Sequence, residues 1–178
     1  MTLRGKLRVG FAAGVLAIVA AGCAARSGTT FPPLGATPGP VGSGADATVA
    51  QVIAAVASTG LQAAVTDKPY RPPEGPLLAA APRSVIQVQL PDDPDHGFVV
   101  VYVLNDPAAA LAAASDTAAY LAQNPGGILP VTGTHLALRV VGATVIYFKW
   151  SPDNAPDAHT QSIEDALNTL GIGATTTE

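Results

Sequence analysis

Residues 98–104 read Phe98-Val99-Val100-Val101-Tyr102-Val103-Leu104. The run is apolar at every position and rich in β-branched side chains. A strand with one wet face would alternate, so this one is expected to lie in the middle of a sheet. Just upstream, Val85-Ile86-Gln87-Val88-Gln89-Leu90 does alternate, which turns Ile86, Val88 and Leu90 inward and Gln87 and Gln89 toward water. Between the two lies Pro91-Asp92-Asp93-Pro94-Asp95-His96-Gly97, a turn composition. Downstream, Asn105-Asp106-Pro107 opens a helix, with Asp106 as cap and Pro107 in the first helical position. Ala110, Leu111, Ala114, Ala118 and Leu121 give that helix a narrow apolar face, and the Asn-Pro-Gly-Gly at 124–127 ends it.

A hairpin follows. Leu136, Leu138 and Val140 share one face, Gly142-Ala143 suits a two-residue turn, and residues 145–150 return. At the other end, Thr48 and Gln51 fit a capping box before the stripe Val49, Val52, Ile53 and Val56, and Gly60 stops the helix. Residues 61–66 read as a short strand, and residues 67–82 as a long loop carrying five prolines. Pro156-Asp157 opens a last helix through Ile163, Ala166, Leu167 and Leu170, closed by Gly171. Hairpin connections dominate. The expected fold is therefore α+β: a mainly antiparallel sheet of four to five strands with about three helices packed on one face.

The whole chain has 178 residues, is 48% hydrophobic and only 12% charged, and carries a formal net charge of −4. Few cations and an acidic balance exclude a nucleic-acid footprint. The single cysteine excludes an intramolecular disulfide framework. Arg4, Lys6 and Arg8 precede an uncharged apolar run at 9–21, the anatomy of a secretory signal and too short for a comfortable span.

Val19-Ala20-Ala21-Gly22-Cys23 resembles a bacterial lipobox, with Ala20 where leucine is commonest. The resemblance implies a diacylglycerol on the Cys23 thiol and cleavage just before it. Two acyl chains would hold the protein on a membrane without a spanning helix, since one alone anchors marginally. Removing Arg4, Lys6 and Arg8 leaves six basic against 13 acidic residues, a net of −7. The Gly-, Pro-, Ser- and Thr-rich stretch to residue 45 reads as a tether. The expected organisation is a signal at 1–22, lipidated Cys23 and tether at 23–45, one globular domain at 46–173, and a disordered tail at 174–178.

Residues 48–171 resemble a loose family of small bacterial lipoproteins of uncharacterised function. The likeness rests on Val99-Val100-Val101-Tyr102, the alanine-rich residues 108–119, Gly142-Ala143-Thr144-Val145-Ile146-Tyr147, and Leu167-Asn168-Thr169-Leu170-Gly171. A tryptophan and an extra tyrosine expected around the His135 strand are missing. The likeness implies an envelope location outside the cytoplasm and no transferable activity.

Chemistry-bearing residues are sparse. Asp92, Asp93, Asp95 and His96 form the densest polar cluster, which reads first as a solvated turn and second as the metal site of a hydrolase. His96, His135 and His159 match no helical zinc spacing. No nucleophile elbow, Walker loop or dinucleotide fingerprint is present, so neither a catalytic set nor a cofactor is expected. Tyr70, Arg71 and Glu74 in the proline-rich loop are the candidate partner contacts. The leading expectation is a non-catalytic binding or accessory lipoprotein; a purely structural envelope role is the further alternative.

Overall fold

The computed structural model describes residues 43–123 and 133–174. Its elements in chain order are α1 (Ser43–Ala57), β1 (Ala63–Thr66), α2 (Pro76–Ala79), β2 (Arg83–Val88), β3 (Phe98–Val103), α3 (Pro107–Gln123), β4 (His135–Val141), β5 (Thr144–Trp150), α4 (Thr160–Asn168) and β6 (Ile172–Gly173). Cys23, the signal, the tether as far as residue 42, the helix stop at 124–127 and residues 175–178 lie outside the described residues.

The fold is α+β, with a six-stranded sheet in the order β1-β2-β3-β5-β4-β6 and every neighbouring pair antiparallel. The run at 98–104 does supply a central strand, and β5 lies beside it. Val99 pairs with Phe148 and Val101 with Ile146 on one face; Val100 pairs with Tyr147 and Tyr102 with Val145 on the other. All eight side chains are buried.

Two apolar faces need two covers. Here the expected helix layer on one face is corrected: α1 and α4 pack on the face of Val99 and Phe148, while α2 and α3 pack on the face of Val100 and Tyr147. The topology requires it. β3 reaches β4 through α3, and β5 reaches β6 through α4, each passing over one intervening strand in the same direction along the sheet. The two crossovers start from antiparallel strands. If they share one hand, as such crossovers nearly always do, their helices must fall on opposite faces.

Three boundaries also differ from the sequence reading. α1 begins at Ser43, so Ser43, Gly44 and Ala45 belong to the helix rather than the tether. Thr48 is consequently not its cap: it is buried, and its hydroxyl lies 3.1 Å from the Gly44 carbonyl and 2.9 Å from the Thr144 hydroxyl. α4 begins at Thr160: Asp157 stands in the turn before it, where its carboxylate accepts the His159 N–H at 2.8 Å and its carbonyl accepts the Thr160 hydroxyl at 2.9 Å. Ala174 is no tail residue, since its N–H donates to the Leu138 carbonyl (3.2 Å). The Asp106 cap holds, with the Ala109 N–H donating to its carboxylate at 2.7 Å. On α3 the buried set is Ala110, Ala113, Ala114, Thr117 and Leu121, while Leu111 faces solvent. Small helix side chains there meet the large Tyr102 and Tyr147 rings from the sheet.

Candidate functional site

The proline-rich loop is a strap across the α3 side of the sheet. Prolines 69, 72 and 73 lack an N–H and resist helix, and Pro76 opens α2, so the strap is held mainly by side chains reaching up to it. Tyr70 stacks on Phe98, with ring centroids 4.5 Å apart. The Tyr147 hydroxyl donates to the Pro73 carbonyl (2.7 Å), and the Tyr102 hydroxyl donates to the Glu74 carboxylate. Arg71 Nε lies 2.7 Å from the other Glu74 oxygen, and Arg71 Nη2 donates to the Ala79 carbonyl at 2.5 Å. The Gly75 N–H donates to Thr117 on α3 (3.2 Å). Gly75 packs closely on α3: a Cβ there would sit 2.2 Å from Asp116 Oδ2, so the Asp116 side chain would have to move.

Burial raises the phenol pKa of Tyr70, Tyr102 and Tyr147 above the tyrosine range. The Glu74 charge pushes Tyr102 and Tyr147 further the same way. Of the three candidate partner contacts, then, Arg71 is exposed and Tyr70 half-buried, but Glu74 is turned inward with its side chain 4% exposed. A carboxylate so placed holds the strap down and cannot meet a partner.

The turn at 91–97 forms the opposite wall, and here the solvated-turn expectation fails for one residue. Asp92 and Asp95 are exposed, but Asp93 is 3% exposed. Its Oδ2 accepts the indole N–H of Trp150 at 2.8 Å, and its Oδ1 lies 2.5 Å from His96 Nδ1. A buried indole N–H needs an acceptor, and Asp93 supplies it across the sheet end. With Asp92 and Asp95 exposed and Asp93 bonded to Trp150 and His96, the four residues do not gather as one ligand set. Among the described residues no three His, Cys, Asp or Glu side chains are grouped to hold a metal ion.

The other two histidines follow the same pattern. His135 Nδ1 lies 2.9 Å from Glu164, with its ring tilted against Trp150. His159 Nδ1 lies 2.9 Å from Asp157, which also accepts the backbone N–H groups of His159 (2.8 Å) and Asp92 (2.9 Å). Burial alone would raise the Asp157 carboxyl. The hydrogen bonds from Asp92 and His159, together with the His159 charge, outweigh it and hold the carboxyl below its usual range.

Between strap and turn lies a crevice of about 240 Å³. Tyr70, Arg71 and Pro73 form its strap side and His96 faces them. Lys149 stands in the same crevice, with Ser151 and Asn154 from the loop after β5. Lys149 follows Val145 and Tyr147 in strand alternation, which puts it in phase with the α3-side core. Loss of water around it lowers its ammonium pKa below the usual lysine range. Sequence reasoning singled out both walls separately but missed Lys149, Ser151 and Asn154. The one signal available was a lysine in the inward phase of an otherwise core strand.

The Asp93–His96 pair has the form of a carboxylate orienting an imidazole. The nearby hydroxyl is not set to use it: Ser151 Oγ donates to Asp153 at 3.1 Å and accepts from the Asp153 N–H. A larger hollow of about 340 Å³ between α3 and β4 is lined by apolar side chains such as Leu121, Leu136 and Leu138. Its one charge, Arg139, is spent on the Leu170 and Gly171 carbonyls. The chemistry lies in the smaller crevice.

Comparison with protein-family models, with curated proteins and with solved structures finds no significant match to the chain. Among the described residues no helix is long and apolar enough to cross a membrane.

Proposed function

We propose that the chain is a lipid-anchored binding module of a bacterial cell envelope, held to a membrane through Cys23 with its folded domain outside the cytoplasm. The lipobox-like residues 19–23 and the tether support the anchoring half of this reading. The binding half is carried by one observation. Two segments that the sequence marks separately, 67–75 and 91–97, meet across a single crevice with Tyr70, Arg71 and His96 on its walls. Binding is favoured over catalysis because the Ser151 hydroxyl is tied to Asp153 rather than to His96.

Intact mass of the protein extracted from membranes tests both halves at once. The expected species starts at Cys23 and carries diacylglycerol, and mild extraction retains a small ligand. Cys23→Ala is expected to release the protein from the membrane fraction or leave it uncleaved. A free thiol at Cys23, or normal processing and membrane retention of Cys23→Ala, refutes the anchor.

A further inference from the structure

We propose that the crevice between the strap and the β5 end takes a small oxyanion, a phosphate or a short carboxylate, with the Lys149 ammonium as its principal contact. This rests on the binding reading above and names its ligand class. Lys149 is in no ion pair among the described residues, although it stands in a concave site in an acidic chain. The two carboxylates beside the crevice are already occupied. Glu74 holds Tyr102 and Arg71, and Asp93 holds Trp150 and His96. What remains open is chiefly donor: the Lys149 ammonium, Arg71 Nη1 and the Asn154 amide, with the Tyr70 ring as a flat wall. Asp153, next to the lining residue Asn154, is solvent-exposed and engaged with Ser151, and Asp95, next to His96, is solvent-exposed. Charge-assisted hydrogen bonds to an oxyanion are the strongest contacts such a set can make. The volume, about 240 Å³, is below the range of roughly 300–1,000 Å³ typical of drug-sized ligands, which limits the occupant to a few heavy atoms.

The test is isothermal titration calorimetry on the full chain purified from membranes, at fixed ionic strength. The probes are inorganic phosphate, acetate and citrate, with glucose as the neutral probe. At least one anion is expected to bind, and Lys149→Met to weaken it about tenfold or more. Lys149→Arg should recover most of the affinity, and Lys68→Met, in a separate hollow, should change it less than about twofold. Tighter binding of phosphate or of a carboxylate tells the two sources apart. Should Lys149→Met lower the melting temperature, Asn154→Ala gives a second reading of the same contact. No heat from any anion, or anion binding indifferent to Lys149 and Asn154, overturns the oxyanion; heat from glucose or a ligand retained by intact mass then leaves the binding module standing. No heat from any probe, together with no retained ligand by intact mass, overturns both.

Discussion

Replacing Asp93 with alanine isolates the contact that fixes the turn at 91–97 to the sheet. Asp93 is 3% exposed, and the indole N–H it accepts belongs to a tryptophan 5% exposed. Removing the carboxylate leaves that N–H buried without a partner, a loss of about 1–3 kcal/mol. The His96 contact adds little, because the imidazole is about half exposed and solvent replaces its partner. The small void left behind adds a few tenths, at about 24 cal/mol per Å³. The expected destabilisation is thus about 1–3 kcal/mol, or roughly 4–12 °C in melting temperature for a domain of this size. The chain has one tryptophan, so indole fluorescence during urea unfolding reports on the contact itself. Asp93→Asn keeps an oxygen for the indole and is expected to cost about 1 kcal/mol or less. In a Trp150→Phe background, followed by circular dichroism, Asp93→Ala should lose most of its effect. A cost for Asp93→Ala below about 0.5 kcal/mol, or an undiminished cost in the Phe background, refutes the reasoning.

Two further perturbations read other parts of the molecule. Asp157, held below its usual pKa by the Asp92 and His159 donors, contributes stability above the unfolded carboxyl value of about 3.9 and loses it as pH falls through the folded value. Asp157→Asn should therefore be less stable than the parent at neutral pH, with the gap closing on acidification below about pH 4 in urea titrations at stepped pH. Gly171 adopts φ +51°, and a Cβ there would lie 2.0 Å from the Val140 carbonyl. Gly171→Ala should cost about 2 kcal/mol or more and detach β6, seen as faster amide exchange at Ala174, whose N–H is held by Leu138.

What the sequence made legible follows the range of the interaction. The central strand, the Asp106 cap and the hairpin turn at Gly142 are set within a few residues, and each stands where its pattern puts it. Thr48 shows how a local pattern misleads. It has the chemistry of a cap, but a contact with Thr144, 96 residues away, draws it inside the helix. The helix layers were legible in principle, since a strand apolar on both sides already demands two covers; hairpin-dominated connectivity argued for one, and the two crossovers over β5 and β4 override it.

The crevice lies at the far limit of that range. Asp92, Asp93 and Asp95 are chemically equivalent in the turn, and composition cannot say which of them goes inside. Pairing decides it. With Val99 opposite Phe148, the ladder carries Trp150 level with Gly97, one residue beyond His96. The buried indole N–H then faces the turn, and Asp93 is the carboxylate that reaches it. Hydrophobic alternation identifies which strands have faces to bury, but a shift of register leaves each strand's own pattern unchanged while moving every cross-strand neighbour. The partners of Trp150, and with them the position of His96 opposite Tyr70, therefore became readable only once the register of β3 on β5 was known.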